Sequence, residues 1–165
     1  MGCLARTHRA AAACGALALL ATAACAQGQP PPGAPLLLDP FHDPFVQLTR
    51  GRPDCPVPRG PAYSAEEARR EAHWRAERGT SCYREGRCRL PNAYLYDADI
   101  IERVQRAVRA HGGFEDTSVW AEGQRRWVTL TGCVRSAAQA AALEALVRRL
   151  DDVEAVIPQL RVAPD

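Results

Sequence analysis

The segment from Asp97 to Val162 constrains the fold most, because the period of its hydrophobic pattern changes at each turn signal. It reads helix, strand, strand, helix, strand. Apolar residues at helical spacing predict a first helix over 98–110, with Asp97 or Asp99 as its N-cap. Gly112–Gly113 follows this pattern and predicts the end of the helix.

The remaining elements of this segment follow from alternation and capping. Apolar and polar residues alternate over 117–122 and over 127–134, which predicts two strands. The stretch Gly123–Arg126 between them has the length and composition of a hairpin connection. Ser136 starts a capping box that opens a second helix, and a last alternating run over 153–162 predicts a third strand.

Three short motifs in this segment resemble a known family. They are Val119-x-Ala121-x-Gly123, Val128-Thr129-Leu130-Thr131-Gly132-Cys133-Val134 and Val153-x-x-Val156-x-x-x-Leu160-x-Val162. Together they resemble the BON domain, over about the last 65 residues. The resemblance implies a bacterial envelope protein that contacts phospholipid and supports outer-membrane integrity or osmotic-stress tolerance.

The chain departs from the family pattern in its last strand. Asp152 stands where the family usually has glycine, and Pro158 stands where it often has asparagine. Because proline lacks the N–H that a sheet ladder needs, we expect this strand at a sheet edge or bulged at Pro158.

These patterns predict an α+β fold. We expect a small α-β-β-α-β sandwich over 97–165, with two helices on one face of a three-stranded sheet. An irregular, disulfide-bearing extension over 36–96 should precede it and carry one helix, at 65–78, which Ser64 begins as a capping residue.

The first 26 residues are typical of a bacterial export signal, with a positively charged start and a short apolar run. Small residues before Cys25 favour a lipoprotein processing site, which would place the protein in the periplasm, anchored to the outer membrane through Cys25. Ala24-Cys25-Ala26 also fits ordinary cleavage, which would give a soluble periplasmic or secreted protein. The proline-rich stretch 27–35 is interpreted as a tether.

Four cysteines remain in the rest of the chain: Cys55, Cys82, Cys88 and Cys133. An even number in an oxidising compartment predicts two disulfides, with three possible pairings. Their spacing matches no usual zinc pattern, so no metal site is predicted.

The alternation of side chains along the predicted strands favours one of the three possible disulfide pairings. Trp120, Trp127 and Cys133 should share the sheet face opposite the helices. We therefore expect the extension to fold over that face, and we prefer Cys55–Cys133 together with Cys82–Cys88. The alternative is an exposed tryptophan face that binds lipid or a partner.

The charge distribution argues against a nucleic-acid binder. The chain has no lysine, and its formal charge is +2, of which Arg6 and Arg9 in the export signal supply two. Residues 50–89 are basic, whereas 97–165 carry more acids than arginines. A nucleic-acid binder would have its basic surface on the folded unit. Attraction of the basic middle to anionic head groups stays open.

No pattern predicts catalysis or a cofactor, so the chain is interpreted as a non-enzyme. Trp120, Arg125, Arg126 and Trp127 are the candidate ligand residues, because arginine beside tryptophan suits a lipid head-group interface. A solvated turn is the alternative for the two arginines. The expected partners are membrane phospholipid, envelope proteins or both.

Two Asp-Pro-Phe repeats, at 39–41 and 43–45, permit a second function. They could dock the chain to an envelope complex as a protein-interaction module. The favoured interpretation is that they form turns and place Phe41 and Phe45 on the protein's own surface.

Overall fold

A computed structural model describes residues 36–163. The export signal, with Cys25, and the tether at 27–35 lie outside the described residues. The strands are β1 (Leu36–Leu38), β2 (Phe45–Arg50), β3 (Ala62–Ser64), β4 (Ser118–Gln124), β5 (Trp127–Val134) and β6 (Ala155–Val162). The helices are α1 (Ala65–Arg78), α2 (Ser81–Arg84), a 3-10 helix (Ala93–Tyr96), α3 (Asp97–His111) and α4 (Ala137–Arg148).

The main sheet has four strands, in the order β2-β4-β5-β6. The pairs β2–β4 and β4–β5 are antiparallel, and α4 connects β5 to its parallel neighbour β6. The prediction of a three-stranded sheet was therefore wrong, because Phe45–Arg50 of the extension adds an edge strand. The edge position expected for the last strand is confirmed, with Pro158 exposed on β6.

The larger core lies between one face of this sheet and helices α3 and α4, as the apolar spacing predicted. All the residues that form its centre are almost fully buried: Ile100, Ile101, Val104, Val119, Val128, Leu130, Val134, Leu143 and Val147. Burial of a side chain of this size contributes about 1.5–3 kcal/mol relative to exposure. This face therefore supplies most of the apolar stabilisation.

A smaller core covers the opposite face of the sheet. Cys55 and Cys133 form a disulfide that lies over Trp120, and Phe45 packs beside them. The preferred pairing is confirmed, and so is the expectation that the extension folds over this face. Trp120 is only 5% exposed, so the alternative of an exposed tryptophan face does not apply to it.

The extension contains more regular structure than the single helix expected. Helix α1 has the predicted bounds, and Ser64 forms the predicted capping box with Glu67. The described residues of the extension also contain α2, the 3-10 helix and a two-stranded sheet of β1 and β3. The second disulfide, Cys82–Cys88, packs against the helix side of the main core.

The two Asp-Pro-Phe repeats pack on the protein itself, as favoured above. Phe41 contacts Tyr63 edge-on at 5.4 Å between ring centroids, and Phe45 packs in the smaller core. Only the first repeat forms a turn, with the N–H of His42 donating to the carbonyl of Asp39.

Candidate functional site

Two arginines form the turn between β4 and β5. Gln124 pairs with Trp127, so Arg125 and Arg126 alone connect the strands, and the hairpin is tighter than the four-residue connection expected. Their φ angles are +56° and +67°. Two-residue hairpins adopt this left-handed geometry because it matches strand twist, but Asn and Gly are the residues that favour it.

Asp97 holds this turn in place. Its carboxylate accepts the N–H of Arg125 at 2.7 Å and the N–H of Arg126 at 2.6 Å. Asp97 is the first residue of α3, and Tyr96 occupies the N-cap position, so the prediction of Asp97 or Asp99 as the cap was wrong. The side chain bonds to a turn 28 residues along the chain instead.

Burial changes the titration of Asp97. Only 2% of the residue is exposed, and this desolvation raises the pKa of the carboxyl to about 6, although the two N–H bonds lower it. The turn of the hairpin is therefore held by a titratable group, the carboxyl of the first residue of α3.

The Arg126 side chain points inward and has a positioning role. Its guanidinium donates to the carbonyl of Asp152 at 2.8 Å and to Sγ of Cys88 at 2.9 Å. It also lies 5.2 Å from the ring centroid of Tyr96. Through these contacts Arg126 joins the hairpin to the second disulfide and to Asp152 in the connection between α4 and β6.

Arg125 faces outward and stacks on Trp127. Its guanidinium carbon lies 4.6 Å from the Trp127 ring centroid. Helix α1 places a second pair of the same kind beside it, with Arg78 lying 3.8 Å above the ring of Trp74. Trp74 and Trp127 are 39% and 37% exposed.

The two arginine–tryptophan pairs border one shallow groove of about 150 Å³. Glu71, Tyr94 and Gln124 complete its lining. We call the four side chains Trp74, Arg78, Arg125 and Trp127 the tip patch. Among the described residues, neither arginine of the tip patch has an ion-pair partner.

Arg75 fixes α1 beneath the tip patch. Its guanidinium makes two hydrogen bonds to the buried carboxylate of Asp43 and one, at 3.0 Å, to Glu71. The same group lies between two rings, 4.1 Å from Phe41 and 4.4 Å from Tyr94. Glu71 lines the same groove, and its carboxylate bonds to Arg75 rather than to either arginine of the tip patch.

Of the four candidate ligand residues, only Arg125 and Trp127 present side chains at the tip patch. Trp120 is buried under the first disulfide, and Arg126 is bonded internally. Sequence reasoning missed Trp74 and Arg78. The signal available was a tryptophan in a helix whose apolar stripe is otherwise made of alanines.

The side chains of the tip patch are suited to binding at an interface. Indole rings and guanidinium groups favour the zone where lipid head groups meet hydrocarbon, since each combines an apolar body with a polar edge. In residues 36–163, no group of three or more His, Cys, Asp or Glu side chains could hold a metal ion. No helix in that range has the length and apolar composition needed to cross a bilayer.

Comparison with known proteins gives one family. Residues 96–164 match the BON domain. No curated protein matches the chain. The BON domain is in general a non-catalytic domain associated with phospholipid or with the cell envelope.

Proposed function

Since residues 96–164 are a BON domain, we propose that this is a non-catalytic envelope protein whose tip patch binds the surface of an anionic phospholipid membrane. In this proposal Cys25 is acylated and anchors the chain in the outer membrane, with 27–35 as the tether. The protein would support outer-membrane integrity under osmotic stress.

The single observation that carries the proposal is the tip patch itself. Two exposed tryptophans come together at one end of the domain, each with an arginine stacked on its ring. The rings can enter the interfacial zone while the two guanidinium groups contact lipid phosphates. Each basic group near an anionic surface contributes about 1 kcal/mol at physiological salt.

The order of the chain supports the same orientation. Strand β1 begins directly after the proposed tether, and its side chains Leu36, Leu37 and Leu38 are exposed. β1 and β3 pack against α1, the helix that carries Trp74 and Arg78. The first described strand and the tip patch therefore both lie at α1, which fits an anchor on the N-terminal side that lets the tip patch reach the membrane.

Tryptophan fluorescence tests the proposal directly, because the chain contains only three tryptophans. Purified protein with both disulfides formed is mixed with phosphatidylglycerol vesicles that carry brominated acyl chains. Quenching of Trp74 and Trp127, observed in variants that retain one tryptophan at a time, is the expected result. Trp120 is the internal control, since it is buried and should stay unquenched.

Co-sedimentation with the same vesicles measures the contribution of charge. Arg78→Gln with Arg125→Gln should weaken binding at least about tenfold, as two surface charges predict. Arg149→Gln with Arg161→Gln removes the same charge elsewhere and should have little effect. No sedimentation at low salt, or equal quenching of all three tryptophans, would contradict the proposal. Cross-linking in cells that gave one specific protein adduct through the tip patch would favour the protein-interaction alternative.

A further inference from the structure

A second concave surface lies at the end of the sheet far from the tip patch. It is a groove of about 430 Å³ between edge strand β2 and the last turn of α3. Arg50 of β2 pairs with Ser118 at the start of β4, whereas Phe45 pairs with Glu122 near the hairpin tip. The groove is lined by Leu48, Thr49, Arg50, Gly51, Val108, Arg109, Phe114 and Glu115.

The floor of this groove is apolar and fixed. Val108 and Phe114 are each 3% exposed and belong to the main core, and Leu48 packs against that core and lines the same groove. A site built on core side chains is preformed, so a ligand does not have to order it on binding. The groove volume falls within the usual range for small-molecule sites, about 300–1,000 Å³.

The rim of the groove carries two arginines. Arg50 and Arg109 are exposed, and among the described residues neither forms an ion pair or a side-chain hydrogen bond. The one acid at the rim, Glu115, accepts the N–H of Gly113 at 3.1 Å. The rim therefore has a net positive charge above an apolar floor.

An added peptide strand suits this edge poorly. The register of β2 against β4 shifts between Gln47 and Thr49, which leaves Leu48 as a bulged residue in a strand of six. Bulges and short edge strands are features that prevent further strand pairing. The N–H of Gly51 is already bonded to the carbonyl of Thr117.

We propose that this groove binds one long-chain fatty-acid anion. The alkyl chain lies on Leu48, Val108 and Phe114, and the carboxylate contacts the guanidinium groups of Arg50 and Arg109, which can bond it bidentately. This site would take a single amphiphile out of solution. It does not depend on membrane binding by the tip patch, which lies at the other end of the sheet.

The test uses dodecanoate as the probe, below the concentration at which it forms micelles. Titration calorimetry should show one molecule bound per chain, and amide and methyl NMR shifts should concentrate on Leu48, Val108 and Phe114. Dodecyltrimethylammonium, which has the same chain length and the opposite charge, should bind at least tenfold more weakly. Shifts centred on Trp74 and Trp127 would overturn the proposal.

Variants separate this site from the tip patch. Arg50→Gln with Arg109→Gln should weaken dodecanoate at least tenfold and leave vesicle binding unchanged. The matched pair Arg149→Gln with Arg161→Gln should bind dodecanoate normally. Both arginines of the rim are exposed, so neither pair of changes should prevent folding. Equal binding of the anionic and cationic probes, or undiminished binding by the rim variant, would overturn the proposal.

Discussion

At the residue scale, the buried carboxylate of Asp97 determines the conformation of the hairpin turn. Its two bonds to the turn hold Arg125 and Arg126 in left-handed conformations that arginine rarely adopts. This arrangement directs Arg125 outward and Arg126 inward. A backbone conformation that is costly by itself persists because the surrounding structure determines it, as is common at ligand-binding sites.

The raised pKa of Asp97 predicts a pH-dependent stability. The folded-state pKa of about 6 lies above the ordinary aspartate pKa of 3.8, so the folded protein retains this proton at pH values where the unfolded chain has lost it. The contribution of Asp97 therefore declines as the pH rises from about 4 to 6, by about 3 kcal/mol in total. The stability advantage of the natural protein over Asp97→Asn should shrink by most of this amount, about 2 kcal/mol, between pH 4 and pH 7.

Urea unfolding of both proteins across this pH range measures the effect, and NMR titration of the Asp97 carboxyl gives its pKa directly. A pKa below 4 would mean that the two N–H bonds outweigh burial, and the stability advantage would then increase with pH.

Residue roles that depend on distant partners could not be read from the sequence. Asp97 fits an N-cap pattern because such patterns consider only the next three residues, whereas its partners lie at 125 and 126. Cys133 and Trp120 were placed correctly because strand alternation fixes their face. The meeting of Trp74 with Trp127 depends on how α1 docks, which no local pattern contains.

At the scale of elements, one side chain of α1 makes its buried polar attachment to the rest of the molecule. None of its residues is buried, so its own apolar stripe contributes little. Arg75 supplies the attachment, since its guanidinium pairs with the carboxylate of Asp43, a residue that is only 6% exposed. Both Asp-Pro-Phe repeats therefore contact Arg75 of this helix. The first repeat supplies the ring of Phe41, and the second supplies the carboxylate of Asp43.

We predict that Arg75→Met destabilises the protein by about 3–5 kcal/mol, because it leaves the charge of Asp43 buried and unpaired. Chemical denaturation measures the loss. Arg70→Met on the exposed face of the same helix is the control and should cost less than about 0.5 kcal/mol. Adding Asp43→Asn to Arg75→Met should recover part of the stability, and a double variant less stable than the single one would contradict this account.

The two disulfides should contribute unequally to the free energy of unfolding. Cys55–Cys133 closes a separation of 78 residues and Cys82–Cys88 one of six. Loop-closure entropy gives about 4 kcal/mol for the first and about 2 kcal/mol for the second. Replacing each pair by alanine and comparing thermal unfolding tests the order, and a larger loss for Cys82→Ala with Cys88→Ala would contradict it.

Most elements could be predicted, and the exceptions share a cause. Helix α1 and the elements from α3 to β6 have clear periodicity or caps, and they were placed within a few residues. Strand β2 directly follows Asp43-Pro44 and has no clean alternation, because its bulge at Leu48 shifts the register. Strands β1 and β3 have three residues each, too few for a period to show.

At the scale of the whole molecule, stability should be graded from the sheet outward. Strand β4 is buried on both faces over most of its length and β5 on the face toward the helices, whereas α1 has no buried residue. Hydrogen exchange should therefore be slowest at Val119, Val128 and Leu130 and at least about tenfold faster in α1. Equal protection of α1 and β5 would contradict this gradient.

The distance that the first disulfide spans along the chain also decides how the molecule responds to a mechanical load. A force applied on either side of it passes through the sulfur–sulfur bond and bypasses the chain between Cys55 and Cys133, which are 78 positions apart. Within residues 36–163, only the two flanking segments can then be extended, roughly 50 residues or about 170 Å of contour length. The hairpin, its arginines and the helix beside them would keep their shape while the rest of the chain is stretched.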